Sequence, residues 1–209
     1  MTQALPNNQS LVQIWLQKKY AIFLKKFLTQ AGIVRRIDDL GRIVVPKEIR
    51  RTLRIREGDP LEIFTDRDGE IVLKKYSPIG ELSQFAGEYA ESLAQTTGHL
   101  VLITDCDHVV TASGQGRKEF EGKPISRQLE EVISERKSYL ASRNDADFIK
   151  VTLDDNGEFG QQALSTIICE GDAIGAVILY ERDDRTKMTE TESKLAMAAA
   201  GFLGKQMEQ

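Results

Sequence analysis

Eight cations, Arg35, Arg36, Arg42, Lys47, Arg50, Arg51, Arg54 and Arg56, lie between positions 35 and 56, opposed only by Asp38, Asp39 and Glu48. The local excess is +5 in a chain whose formal net charge is −4. A guanidinium holds a phosphate through two parallel N–H donors and can also reach the edge of guanine, so the chemistry open to this cluster is recognition of a polyanion. Concentration of that charge on one short stretch of an acidic protein is the electrostatic pattern of a small nucleic-acid reader carried by a larger body.

The remaining reactive residue types lack partners at useful spacing. His99 and His108 flank a predicted strand pair with no carboxylate at catalytic spacing in the sequence, and surface or hydrogen-bonded histidines are the expectation. Cys106 and Cys169 sit singly in apolar runs without CxxC spacing, which makes them buried thiols of a reducing compartment rather than metal ligands or disulfide partners. The run Ser113-Gly114-Gln115-Gly116-Arg117-Lys118 offers amides and cations to an anion, but no βαβ unit surrounds it and a turning loop is the simpler reading. With no nucleophile–base pair, metal cluster or phosphate loop, no catalytic or metal-binding residue is assigned, no cofactor is expected and the chain reads as a non-enzyme.

Several predicted elements must position the cations. Gly32–Ile37 alternates, Asp38-Asp39-Leu40-Gly41 is a turn cluster, and Arg42–Val45 is a β-branched run. Pro46 opens a short helix, as an N1 residue, that runs to about Leu53. At 100° per residue, with Arg50 at the origin, Arg54 falls at about 40°, Lys47 at about 60° and Arg51 at about 100°, opposite Leu53 and Ile49. One side of such a helix seals a core while the other presents cations, and Arg35, Arg36 and Arg42 extend the basic face. A strand over Leu61–Thr65, a turn at Arg67-Asp68-Gly69 and a strand over Glu70–Lys75 complete a ββαββ module too short to bury much apolar surface alone, so an obligate dimer is expected.

Charge divides the 209 residues as the elements do: +4 over residues 1–30, +2 over 31–76 and −10 over 77–209. The run Leu11–Leu28 is apolar but holds four lysines, which argues against a membrane span, and it lacks the marks of a secretory signal. A surface-lying amphipathic helix fits it, but translation starting at Leu28 from a TTG or CTG codon is the simpler account and would leave residues 1–27 untranslated; residues 1–30 read as an N-terminal extension, untranslated or disordered. Ser77 and Pro78 open a helix to about Thr97, stopped by Gly98, with Leu82, Phe85, Ala86, Tyr89 and Leu93 as its apolar stripe. Strands follow at Leu100–Thr104 and His108–Thr111, then a helix carrying Ile125, Leu129, Val132 and Ile133. Three more strands are predicted at Phe148–Leu153, Gln162–Cys169 and Ala173–Tyr180, and Thr189 with Glu192 forms a capping box for a last helix bearing Leu195, Ala199, Phe202 and Leu203. The class is α+β, with residues 31–77 as the basic module and 78–209 as a sensor-like sandwich.

The stretch GIVRRIDDLGRIVVPKEIRRTLRIREGDPLEIF, Gly32 to Phe64, resembles the AbrB-type looped-hinge-helix DNA-binding domain, and the similarity to a family of sporulation regulators continues through LKKYSPIGEL to AAGFLGKQMEQ. That resemblance implies a swapped-hairpin β-barrel shared by two chains, with duplex DNA contacted by Arg35, Arg42, Arg50 and Arg51. Arg36, Lys47 and Arg54 are added here from geometry. Residues 78–209 resemble a GAF domain, a fold that often holds a small molecule and often only pairs subunits. The two long apolar stripes, Phe85–Leu93 and Leu195–Leu203, are candidates for joining dimers into a tetramer. The expectation is a cytoplasmic, nucleoid-associated regulator that activates and represses sporulation genes. An antitoxin with the same DNA-binding module is the alternative, although antitoxins end in a disordered toxin-wrapping tail and this chain continues for about 130 patterned residues.

Overall fold

A computed structural model describes residues 33–67, 69–155, 158–182 and 186–208. The extension at 1–30, Gly32 and Asp68 of the predicted turn lie outside the described residues. The chain forms two compact units, Met1–Leu53 and Arg54–Gln209.

In the first unit the turn forms as its sequence requires. Asp38 Oδ1 accepts from the amides of Leu40 (3.1 Å) and Arg42 (2.8 Å), and the Asp38 amide donates to the Arg42 carbonyl (3.1 Å). Gly41 closes the turn at φ 76°, in the left-handed region that favours glycine. The described residues of the flanking segments have no regular secondary structure and join no ladder, which differs from the expected strands at Gly32–Ile37 and Arg42–Val45. Their apolar residues are exposed, among them Val34, Ile37, Leu40 and Val44. Helix α1 spans Lys47–Thr52, and Pro46 serves as its N-cap, one position before the N1 role expected of it. It ends at Thr52 with Leu53 as C-cap, close to the predicted limit, and Arg54 follows with φ 52°.

The second unit opens with strands β1 (Leu61–Thr65) and β2 (Ile71–Lys75), paired antiparallel with Ile63 opposite Leu73. Ser77 caps α2 (Pro78–Glu81) by accepting from the Gly80 amide at 3.1 Å, and α3 (Ser83–Thr97) follows, terminated by Gly98 at φ 77°. A five-stranded antiparallel sheet in the order β4-β3-β7-β6-β5 is built from β3 (Leu100–Thr104), β4 (Val109–Ser113), β5 (Ser138–Ser142), β6 (Gln161–Cys169) and β7 (Asp172–Glu181). Glu170 and Gly171, at φ 48° and 90°, form the tight turn between β6 and β7, matching the right-handed twist of the strands. Helices α4 (Arg127–Ser134) and α5 (Glu190–Gln206) complete the domain, and α5 carries the predicted capping box.

The strand period sorts side chains onto two faces. Val101, Ile103, Val177 and Leu179 pack with α3 and α5 through Ala86, Ala90, Ala196, Ala199 and Leu203. Leu100, Leu102, Ile178 and Tyr180 face the other way and meet Leu129, Val132 and Ile133 of α4. On that side Phe159 stacks on Tyr180 with centroids 4.4 Å apart, and Phe120 stands edge-on to Phe159 at 5.6 Å.

The third of the predicted late strands is misplaced. Residues 148–153 form no strand; the five residues Ser138–Ser142 do, pairing with β6. The apolar alternation of 148–153 is real, but its backbone is held by a side chain: the buried Gln162 amide accepts from Ile149 N (2.7 Å) and donates to Ile149 O (3.2 Å), imitating a strand partner. Ser126 likewise donates to the Lys150 carbonyl while accepting from Leu129 N at 3.1 Å to cap α4.

Two glycines of α5 separate close packing from helix propensity. A Cβ on Gly204 would strike the Ile168 carbonyl of β6, whereas one on Gly201 meets open space. Gly204→Ala is expected to destabilise by about 1–3 kcal/mol, and Gly201→Ala to stabilise by about 0.5–1 kcal/mol. Thermal melting of the two variants checks this, with Tm moving in opposite directions.

Candidate nucleic-acid interface

The predicted contact residues occupy two local settings within the first unit. Arg35, Arg36 and Arg42 flank the Asp38–Gly41 turn, and all three are exposed. Arg42 is the one whose direction is fixed: its Nε donates to Asp38 Oδ2 at 2.8 Å while its amide holds Asp38 Oδ1. The backbone N–H of Arg42, then its guanidinium, hold the Asp38 carboxyl below its ordinary range against an opposing effect of burial, with a lesser contribution from the Leu40 amide. Its other N–H groups remain available on an exposed surface. Lys47, Arg50 and Arg51 are exposed on α1, while Ile49 turns to the half-buried side and Pro46 is buried. Ile49 is thus half-buried opposite exposed cations, but Leu53, expected beside it on the apolar side, is 43% exposed.

Arg54 departs from that arrangement. Helix α1 has ended, the left-handed backbone turns the residue away from the 100° progression, and Arg54 Nη1 lies 3.0 Å from Glu130 Oε1. Arg56 Nη2 lies 2.5 Å from the other oxygen of Glu130. No sequence signal connects residues separated by 74 and 76 positions.

Elsewhere the polar groups serve structure. His99 Nδ1 sits 2.7 Å from Glu181 Oε2, with Glu192 Oε1 4.0 Å from Nε2. The carboxylates absent from its sequence neighbourhood are supplied by the pairing of β3 with β7, which sets Leu100 opposite Tyr180, and by the first turn of α5. Burial drives the Cys106 thiol up to about 11, reinforced by Asp105 and Asp107, and its Sγ rests against the Ala173 carbonyl at 3.4 Å. A protonated thiol is a poor nucleophile. The Ser113–Lys118 loop turns through Gly114 and Gly116, at φ 105° and 93°, into a single 3₁₀ turn at Arg117–Glu119, and Glu119 pairs with Arg182 at 2.8 Å. Among the described residues no cluster of His, Cys, Asp and Glu is arranged to hold a metal ion, and no helix is long and apolar enough to cross a membrane.

Comparison with known proteins agrees with both halves of this architecture. The family model described as stage V sporulation protein T C-terminal, transcription factor, matches residues 81–208, and that described as antidote-toxin recognition MazE, bacterial antitoxin, matches residues 34–81. The chain is 52% identical over 178 residues to stage V sporulation protein T of Bacillus subtilis (strain 168), an alignment covering 85% of this chain and 98% of that protein. It is 49% identical over 77 residues to the transition state regulatory protein AbrB of the same organism, covering 36% of this chain and 78% of that protein. A crystal structure of the cyanobacteriochrome receptor PixJ in dark and illuminated states superposes with a TM-score of 0.50 at 12% identity, over 64% of this chain and 99% of that one, a likeness of fold alone.

An AbrB-type module followed by a GAF-like sheet with helices on both faces defines a transcription regulator. Within that class the chain belongs to the stage V sporulation protein T family.

The Asp38–Arg42 contact gives a pH test of the basic turn. A carboxyl whose folded pKa is lowered contributes stability above its unfolded value of 3.8 and loses it as pH falls through the lowered folded value. A carbon-detected NMR titration of Asp38 is expected to show a midpoint below 3.8, moving upward in Arg42→Ala but not returning fully, because the Arg42 amide remains a donor.

Proposed function

We propose that the chain binds duplex DNA as a dimer, regulating sporulation genes by activation at some promoters and repression at others, with Arg35, Arg42, Arg50 and Arg51 as the principal contacts and Arg36 and Lys47 extending the same face. The observation that carries this is the coexistence, within residues 33–53, of exposed cations and exposed apolar side chains: Val34 is 89% exposed, Val44 72% and Leu40 69%. Apolar strand residues left in water are a strong drive to association. The β1–β2 hairpin gives the same signal in the second unit, through Ile63, Ile71 and Val72. Interleaving two copies pairs the open strand edges, buries these side chains and doubles the number of arginines facing one duplex. The domain limits 31–77 and 78–209 belong to the same reading, with the first supplying contacts and the second controlling assembly, inside the cytoplasm and at the nucleoid.

Phosphate contacts dominate such an interface and set its register, while arginines in the grooves and the deformability of the duplex supply sequence preference. The second domain offers an assembly surface. Phe202 of α5 is 40% exposed and touches Tyr89 and Phe85 of α3 at centroid distances of 5.3 and 5.8 Å, and Met197, earlier on the same helix, is 53% exposed. This patch supports pairing of dimers into a tetramer. The opposite face of the sheet is filled by Phe120, Phe159 and Tyr180, so assembly is favoured over small-molecule binding as the role of this domain.

The antitoxin reading draws on the match over residues 34–81. Against it, the chain continues as a folded domain through α5, where an antitoxin of this type would end in a toxin-binding tail.

Replacing Arg50 and Arg51 together with alanine is expected to abolish DNA binding in a gel-shift assay while circular dichroism and size exclusion remain those of the wild type. For the wild type, the logarithm of the association constant should fall linearly with the logarithm of salt concentration, by about 0.9 for each phosphate neutralised. A flat response would exclude a phosphate interface. Phe202→Glu is expected to halve the mass measured by light scattering, from tetramer to dimer, and an unchanged mass would place the second contact elsewhere.

A further inference from the structure

We propose that Glu130 is a positioning residue for DNA recognition: its carboxylate pins Arg54 and Arg56, and with them the first residues after helix α1, to helix α4 of the regulatory domain.

Both oxygens of Glu130 are engaged, one by each arginine, and its side chain is 18% exposed. Such charge-assisted bonds at a partly shielded site hold direction as well as distance. The backbone of Arg54 supplies an independent sign. At φ 52° it occupies a conformation that favours glycine, and the side chain placed there at that cost reaches directly to Glu130.

The same segment is held a second time through Lys75. An ammonium has three N–H donors, and here all three are used: Asp107 Oδ2 at 2.6 Å, Asp59 Oδ2 at 3.0 Å and the Arg54 carbonyl at 3.2 Å. Asp59 also accepts from the Arg56 amide at 2.8 Å. Asp107 belongs to the turn between β3 and β4, where Asp105 accepts from Ser77 Oγ at 2.8 Å. Residues 54–59 are thereby clamped between the β3–β4 turn and α4.

Helix α4 is well placed to transmit. Its Leu129, Val132 and Ile133 are buried against the aromatic face of the sheet, so a shift in that core displaces Glu130 and releases or retightens both arginines. The two guanidiniums are accordingly removed from the phosphate-contact set. Arg54 acts by holding residues 54–59 in place rather than on DNA.

The DNA part of this inference rests on the function proposed above, and the test separates the two. In the full chain, Glu130→Gln removes both ion pairs with minimal change of shape. Hydrogen–deuterium exchange at the amides of Arg56 and Asp59 is expected to accelerate about five- to tenfold. Affinity for a fluorescein-labelled mixed-sequence duplex should fall by a similar factor with the salt slope unchanged, because no phosphate contact is lost. Glu130→Arg should behave likewise, and combining it with Arg54→Glu and Arg56→Glu should restore slow exchange and affinity. Unchanged exchange in Glu130→Gln would overturn the clamp. Tighter binding with a steeper salt slope would overturn it too, showing Glu130 as a competitor of phosphate. If the wild type ignores the duplex altogether, the DNA-binding reading fails while the exchange result still decides the clamp.

Discussion

Apolar side chains left in water favour association, and that constraint governs the first unit. Residues 33–45 hold a well-formed Asp38–Gly41 turn between arms that carry Ile33, Val34, Ile37, Ile43 and Val44 into solvent. A single short module of this kind cannot bury those groups, since its surface is too large for its volume. Interleaving with a second copy, as proposed, answers the hydrogen-bonding and the hydrophobic demand at once. It also brings two sets of arginines onto one ridge, so dimerisation and DNA recognition would share a single physical cause.

The second unit solves its own packing problem within one chain. Five antiparallel strands present Val101, Ile103, Val177 and Leu179 to one helical layer and Leu102, Ile178 and Tyr180 to another. Close approach of α5 to the sheet depends on Gly204, whose lack of a side chain lets the helix sit over the Ile168 carbonyl. A rigid platform of this kind suits an assembly role: Phe85, Tyr89 and Phe202 form an aromatic rim on its outer helices, already ordered against one another before any partner arrives.

Much of this was legible in the residues because the signals were local. Ser77 before Pro78, Gly98 as a helix stop and the Thr189–Glu192 box each act within a few positions and each forms as expected, although the single helix expected over Pro78–Thr97 is broken at Leu82 into Pro78–Glu81 and Ser83–Thr97. Two readings failed for a common reason. The segment 148–153 alternates like a strand, yet Ile149 bonds to the Gln162 side chain and Lys150 to Ser126 and Gln128, partners no periodicity can reveal. Helical geometry placed Arg54 on the basic arc, but its positive φ just past the helix and its ion pair with Glu130, far along the chain, take it elsewhere. His99 shows the same limitation, because the pairing of β3 with β7 brings Glu181 to it. Charge and local pattern identified which residues could meet a polyanion; the long-range ion pairs of Arg54 and Arg56 with Glu130 required the fold.

The most direct test of the shared module is amide exchange across residues 33–45 of the full chain, followed while the protein is diluted and its mass is tracked by sedimentation. If two copies interleave, these amides are protected in the associated state and lose protection in step with dissociation. Rapid exchange of the same amides in a species that sediments as an associated complex would contradict a barrel built from two chains.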